Sequence, residues 1–223
     1  MITDAQLNGF RTMHAAFRTE FGRLAAAFQA PRDAAHVQLL EEQLALALDI
    51  LHAHHTHEDD NLWPFLISCS PESKPELDEL EAEHEHLDPL ITGSADRSRS
   101  TSARAVSLQE LHDFLNQHID HEEAVAFPLM RGFFTPQDVE SDRRKAMSEI
   151  SRQRMPVVFG WIASCLDDDL FAAAIAENPR VVRLLFRKFW WPKYERRLTA
   201  LYGSDVVVPA TALAPARSVV GAR

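Results

Sequence analysis

The residues best suited to chemistry in this chain lie in a pattern that occurs twice. The first copy runs from His54 to Pro64, and the second begins 64 residues later and runs from His118 to Pro128. Both copies read His-x-x-His-Glu-acid-x-x-x-aromatic-Pro. The first histidine and the glutamate are four residues apart, so on a helix they project from one face, one turn apart. Two such helices facing each other form a cage of imidazole and carboxylate groups.

Helical periodicity places both His and Glu pairs on apolar stripes. At about 100° per residue, the stripe of the first copy contains Leu44, Ala47, Leu51, Leu62 and Phe65. The stripe of the second copy contains Leu111, Phe114, Leu115, Val125 and Leu129. Buried histidine and glutamate are costly unless they are paired, hydrogen-bonded or bound to a metal ion. The pattern therefore indicates a metal site.

Two other helical stripes each carry one histidine. His14 shares a face with Leu7, Phe10, Phe17 and Phe21, and His84 shares a face with Leu77, Leu80, Leu87 and Ile91. His86 lies roughly 200° away from His84 and is the poorer candidate. The predicted metal ligands are therefore His14, His54, Glu58, His84, His118 and Glu122.

The chemistry of these six side chains favours a pair of first-row metal ions. If both carboxylates bridge, each ion receives two imidazoles and two carboxylate oxygens, and an oxo or hydroxo bridge leaves one position open to a small molecule. Carboxylate and imidazole without thiolate favour iron, suit manganese and disfavour structural zinc. An open position implies reactivity.

The remaining histidines and nearby acids are expected to lie outside the set of ligands. His57 and His121, each three residues after a ligand histidine, are expected at the surface or hydrogen-bonded to ligands. Solvated positions are predicted for His36, His52, His55, His86 and His112. A charged outer face is predicted for Asp59, Asp60 and Glu123.

These residues resemble the hemerythrin-like (HHE) family, whose pattern is a lone His, His-x-x-x-Glu, a second lone His and a second His-x-x-x-Glu, with an aromatic-Pro after each pair. The resemblance covers about residues 4 to 134. It implies a carboxylate-bridged di-iron centre that binds dioxygen, nitric oxide or peroxide. Known roles in the family range from oxygen carriage to sensing and stress defence.

The chain departs from the oxygen carriers of that family on its third helix. The carriers look richer in histidine, with five, two of them on the third helix, whereas here Asp88 stands four residues after His84 as a possible replacement. Fewer imidazoles favour peroxide or nitric oxide chemistry over reversible oxygen storage. A catalase- or peroxidase-like enzyme is one reading, and a non-catalytic sensor of oxygen, nitric oxide or iron is the other. No catalytic residue beyond the ligands is assigned.

The elements that position these side chains are predicted to be helices, because Ala, Leu, Glu, Gln and Arg dominate and strand-like alternation is scarce. The four helical segments run from Asp4 to about Gln29, Asp33 to about Ile67, Pro75 to about Ile91, and Ala103 to about Phe134. Short proline-containing connections, the first of which ends in Asp33 as a helix N-cap, make neighbouring helices antiparallel. The fold predicted for residues 1–134 is an all-α, antiparallel four-helix bundle. The Ser/Arg-rich connection at 92–102 is expected to be mobile.

Two further regions follow the bundle. Residues 135–202 are predicted to form additional helices packed on it, and residues 203–223 a disordered tail. Between Arg180 and Tyr194, cations alternate with aromatic residues. Packing on the bundle is the favoured reading for Val182, Leu185, Phe186, Phe189 and Trp190, and a helix that binds a membrane surface or a partner is the alternative.

Composition limits the partners and the location of the protein. The 33 acidic and 23 basic residues give a formal charge of −10, which discourages binding of the chain as a whole to nucleic acid or to an anionic membrane. Cys69 and Cys165 are far apart and suggest neither a disulfide framework nor a thiolate metal site. No signal sequence and no membrane span is evident, so we expect a cytoplasmic protein. No protein partner is indicated.

Overall fold

The computed structural model describes residues 1–204, 206, 208 and 209. In these residues the secondary structure is helical, without strands. The helices that carry the repeated pattern and its partners are α1 (Asn8–Gln29), α2 (Ala34–His57), α3 (Trp63–Cys69), α4 (Lys74–Ala95) and α5 (Thr101–Phe133). They are followed by α6 (Pro136–Glu149), α7 (Met155–Cys165), α8 (Asp168–Ala176), α9 (Arg180–Leu185) and α10 (Trp191–Tyr202). The predicted all-α bundle is confirmed.

Side-chain caps explain where several helices begin. The Asp33 carboxylate accepts a hydrogen bond from the His36 backbone N–H at 2.7 Å, so the predicted aspartate cap starts α2. Ser100 Oγ accepts from the Ala103 N–H at 3.2 Å and starts α5. Each cap satisfies one of the N–H groups that a helix leaves without an intrahelical partner.

The connection predicted at 92–102 is shorter in the structure. Its first residues extend α4 to Ala95, and α5 begins at Thr101. Arginine side chains form hydrogen bonds across this connection. Arg99 Nη1 donates to the Gly93 carbonyl at 2.9 Å. Buried Arg104 donates to the Ser94 carbonyl at 2.7 Å and to Glu41. A Ser/Arg-rich composition looked like a solvated linker because these backbone acceptors are visible only in the fold.

One π-helical turn interrupts the second predicted helix. Glu58–Leu62 forms this turn, in which the Trp63 N–H donates to the Glu58 carbonyl five residues back. Pro64 follows directly and has no N–H, so the wider turn relieves the clash that a proline ring makes with the preceding turn. The phase of the helix shifts as a result: Trp63 and Leu66 are buried, while Phe65, predicted on the inner stripe, is exposed. Pro128, at the equivalent point of the repeat, lies inside a continuous α5.

The chain divides into two compact units. The first comprises Met1–Leu7 and Phe17–Lys145, and the second comprises Asn8–Ala16 and the described residues from Ala146 onward. The continuous helix α1 contributes to both. The division of the chain at residue 134 stays a prediction, and the predicted tail at 203–223 lies largely outside the described residues.

The second unit has its own aromatic core. Phe186 is buried, with its ring centroid 6.1 Å from that of Phe171 and 5.9 Å from that of Trp191. A second π-helical turn, Phe186–Trp190, again directly precedes an aromatic-Pro pair. The expectation that Leu185 and Phe189 pack inside is wrong, because both side chains are exposed.

Among the described residues, no helix combines the length and the apolar character that crossing a bilayer requires.

Gly160 of α7 tests the packing of this second core. A Cβ at Gly160 would overlap the Cβ and Cγ atoms of Tyr194 and lie 2.8 Å from its Cδ2 atom. We expect Gly160→Ala to lower the free energy of unfolding by about 1–3 kcal/mol, the usual cost of overpacking. Gly132 of α5 is the matched control, because its Cβ would meet nothing within 4 Å. Gly132→Ala should stabilise by about 0.5–1 kcal/mol. Denaturant unfolding of the two variants measures the difference, and equal effects would contradict this packing.

Candidate metal centre

The end of α2 and the turn after it direct three functional side chains toward the interior of the first unit. His54 and His55 occupy the last turn of α2, and Glu58 opens the π-helical turn. The Glu58 N–H donates to the carbonyl groups of both His54 and His55. The wide turn thus begins at the carboxylate that the repeat pattern singled out.

Three histidines form the first group of candidate ligands, the imidazole cluster His55, His84 and His118. They come from α2, α4 and α5, all three are buried, and one ring nitrogen of each lies within 4.8 Å of the others. The Nε2 atoms of His84 and His118 are 3.1 Å apart. The ring of His55 stacks on that of His84, with centroids 4.1 Å apart and an interplanar angle of 12°.

Carboxylates fix the tautomers of two of these rings. His84 donates from Nδ1 to Asp59 Oδ1 at 2.8 Å, and His118 donates from Nδ1 to Glu83 Oε2 at 2.7 Å. Burial disfavours the imidazolium form, lowering the pKa of His84 to about 4 and lowering that of His118. Each neutral ring therefore carries its proton on Nδ1 and points an Nε2 lone pair at the other. Two lone pairs at this distance repel unless a cation lies near both.

A second group, the carboxylate cluster His54, Glu58 and Glu122, lies beside the first. Their ligand atoms also fall within 4.8 Å of one another, and both carboxylates are only 1% exposed. His54 Nε2 lies 3.0 Å from Glu58 Oε1. Glu58 Oε2 is 3.6 Å from His84 Nε2, and Glu122 Oε2 is 4.0 Å from His118 Nε2. The two glutamates therefore lie next to both groups of nitrogen atoms.

The electrostatics of the carboxylate cluster disfavour the metal-free state. Burial, and then the negative charges of Glu122 and Asp59, raise the pKa of Glu58 well above its usual value. Two carboxylates in a dry site repel each other and have lost their hydration. A positive charge placed between them removes both penalties.

Within the first unit, the structure brings together the predicted ligands His54, Glu58, His84, His118 and Glu122. His14 is buried on the part of α1 that belongs to the second unit, and its role as a ligand stays a prediction. His121 donates to Glu83 Oε1 at 2.8 Å and so shares an acceptor with His118. His57 is half-buried, 3.9 Å from Asp142, and Asp88 is exposed and belongs to neither cluster.

Sequence reasoning missed His55, which was expected to be solvated but is only 7% exposed. A stripe centred on His54 places His55 about 100° away, yet the His55 ring contacts the rings of His84 on α4 and His118 on α5. The signal was present in the sequence. His55 follows Leu51 by four residues and precedes Leu62 by seven, and both of these leucines are buried.

Asp59, Glu83 and His36 form hydrogen bonds that the sequence did not predict. Asp59, predicted on a charged outer face, accepts from His84, and burial raises its pKa to about 6. Glu83, which was not assigned a role, holds both His118 and His121. His36 is buried at the start of α2, where its Nδ1 accepts from the Arg32 N–H at 3.1 Å.

The family model of the hemerythrin HHE cation-binding domain matches residues 6–130. This range is more than half of the chain and contains both clusters. No curated protein and no solved structure gave a significant match.

Glu58→Gln should have opposite effects on the metal-free and metal-loaded protein. The raised pKa of Glu58 means that the fold disfavours its ionised form, so metal-free stability falls as the pH rises above 4.5. The neutral amide removes this loss, and we expect the metal-free variant to gain about 1–3 kcal/mol at pH 8 and much less at pH 4. The metal-loaded variant should bind its ions more weakly. Thermal unfolding at both pH values, with and without metal, measures both effects.

Exposed Glu79 of α4 supplies the control. Glu79→Gln should change neither quantity, and a Glu58→Gln protein that is less stable without metal at pH 8 would contradict the assigned electrostatics.

Proposed function

Because the chain belongs to the hemerythrin HHE cation-binding family, we propose that its bundle holds two iron ions that bind or react with small oxidants. The oxidants are hydrogen peroxide, nitric oxide or dioxygen, and the role is defence against oxidative or nitrosative stress. The observation that carries the proposal is the 3.1 Å approach of the Nε2 atoms of His84 and His118 in a buried site. A metal cation turns this repulsion into ligation.

The two clusters suit two ions of unequal surroundings. The imidazole cluster offers three nitrogen ligands to one ion, and the carboxylate cluster offers His54 with Glu58 and Glu122 to the other. Both glutamates lie near both groups of nitrogen atoms, which supports their sharing between the ions. His14 is the proposed fourth ligand of the second group. It precedes Phe17 by one turn of α1, and the Phe17 ring lies 5.2 Å from that of His54.

The donor atoms favour iron. All of them are imidazole nitrogens or carboxylate oxygens, whereas Cys69 and Cys165 belong to neither cluster. Iron accepts this mixture at more than four positions, whereas structural zinc prefers four ligands that often include thiolate. Manganese suits the same donors and is the alternative ion.

Iron when bound supplies redox electrons and open positions for a small oxidant. The protein orients the ligand side chains, excludes water from the site and provides a path for protons. Asp59 and Glu83 hold the two ring Nδ1–H groups, so that the Nε2 atoms face inward. Glu83 also accepts from His121, whose side chain is 34% exposed. This chain of hydrogen bonds links a partly solvated imidazole to buried His118.

His55 removes the preference for peroxide or nitric oxide that the sequence suggested. With His14 and the other cluster histidines, it brings the proposed imidazole ligands to five. A shortage of imidazole was the reason to favour peroxide or nitric oxide over reversible dioxygen binding, and that reason no longer holds. We therefore propose all three oxidants and leave the choice to a direct measurement.

Metal analysis of protein from iron-replete cells, followed by optical spectra, tests the proposal. We expect two iron ions per chain and a charge-transfer band that changes on addition of peroxide, nitric oxide or dioxygen. Peroxide loss with gas evolution would assign an enzyme, and a stable nitrosyl without turnover would assign a sensor. Protein that carries no transition metal, even after anaerobic reconstitution, would overturn the proposal.

His55→Gln tests the three-nitrogen position. If His55 is a ligand, the variant should weaken binding of one of the two ions at least tenfold and lower the bound metal from two ions toward one. Exposed His52, three residues earlier on α2, is the control, and His52→Gln should retain both ions. Isothermal titration calorimetry with the metal ion measures binding by both variants. Two ions bound with unchanged affinity would show that His55 only packs against His84.

A further inference from the structure

The helix α9 and the π-helical turn after it expose apolar side chains to solvent. Val181 is 68% exposed, Leu184 51% and Phe189 63%, and Leu185 is exposed as well. Other large apolar side chains in this unit are buried, such as those of Trp161, Phe171 and Phe186. These four exposed side chains are the apolar face of α9.

Helix geometry gathers these side chains on one side. Positions 181, 184, 185 and 189 follow the spacing of three, four and seven or eight residues that defines a helical face. Phe186 points the other way and anchors the helix through Phe171 and Trp191. The Phe159 and Trp190 rings, 5.5 Å apart, add a second contact on the anchored side. The apolar face is therefore held outward by the packing of the opposite face.

The charge around this face is opposite to that of the chain. Residues 180–197 contain seven basic residues and one acidic residue, whereas the whole chain carries a formal charge of −10. Arg180, Arg187 and Lys188 are exposed beside the apolar side chains. Long basic side chains at the edge of an apolar surface keep their charges in water while the apolar groups are buried.

We propose that the apolar face of α9 docks on a bilayer surface that contains anionic lipids. The apolar side chains enter the boundary between headgroups and acyl chains, and the arginines and lysine pair with lipid phosphates. Acidic residues farther than about 8 Å from the lipid surface oppose this only weakly, because their charges are screened at physiological salt.

Size favours a lipid surface over a protein partner. Four partly exposed side chains supply at most a few hundred Å² of apolar surface, whereas a stable protein interface needs about 800 Å² from each partner. A bilayer requires no complementary shape, and a few inserted side chains with several cations give reversible attachment.

Flotation of the full-length protein with vesicles tests the docking. Vesicles of phosphatidylcholine alone are compared with vesicles that contain phosphatidylglycerol, at low and at high salt. We expect binding to the anionic vesicles to exceed that to the neutral ones about tenfold, and to fall with salt. Phe189→Ser and Lys188→Glu should each reduce anionic binding about tenfold.

Matched substitutions elsewhere control for composition and charge. Phe133→Ser alters another exposed phenylalanine, 40% exposed on α5, and Arg144→Glu makes the same charge change as Lys188→Glu on α6. Both should bind like the parent protein. Circular dichroism of every variant should match the parent, since each altered side chain is exposed.

Two outcomes would overturn the assignment to lipid. One is equal flotation of parent and Phe189→Ser protein, or no flotation with anionic vesicles. The other is self-association of the parent at micromolar concentration in ultracentrifugation, lost in Phe189→Ser, which would assign the face to a second copy of the chain. Neither result depends on the metal centre.

Discussion

The Nε2 atoms of His84 and His118 face each other at 3.1 Å inside the bundle, and the rest of the site is arranged around this contact. Each ring is fixed from behind by a carboxylate, so neither can turn its lone pair away without losing a hydrogen bond. Burial also keeps both rings neutral. In a dry interior such a pair of acceptors is unfavourable without a cation. The contact between α4 and α5 thus includes two nitrogen atoms whose repulsion costs folding free energy. Metal binding removes this cost.

The two buried glutamates extend the same constraint to the other helices. Glu58 and Glu122 project from separate helices, and each lies near imidazoles of both clusters. Ligands on α2, α4 and α5 would be held together by the same ions, so metal binding and helix packing stabilise each other. Without a metal ion, these side chains therefore destabilise the fold. As metal ligands, they stabilise it.

Two π-helical turns, at Glu58–Leu62 and Phe186–Trp190, have the same local cause and different consequences. Both precede an aromatic-Pro pair, where a proline without an N–H follows a wider turn. The first opens at a candidate ligand and places Asp59 against His84. The second lies at the end of the exposed apolar face, next to the anchored rings of Phe186 and Trp191. The same π-helical turn before an aromatic-Pro pair therefore occurs at a buried site in one unit and at an exposed surface in the other.

The sequence alone determined the helical class, the cap at Asp33 and the positions of His54, Glu58, His84, His118 and Glu122. Helical spacing and a repeated motif are local properties, and they fix which side chains share a face. The departures depend on more than regular α-helical spacing. A π-helical turn moved Phe65 out of the core, and the rings of His84 and His118 on two other helices pack against His55.

Only the tertiary structure decided how the polar residues around the ligands are used. Asp59 was expected on a charged outer face, and Glu83 and Arg104 had no assigned role, because a sequence does not tell which face of a neighbouring helix lies opposite a given side chain. In the fold, Asp59 and Glu83 fix the imidazole rings, and Arg104 closes the connection between α4 and α5. The sequence supplied the donor atoms at helical spacing. Packing set their tautomers and distances, because hydrogen bonds between helices depend on contacts that no local pattern encodes.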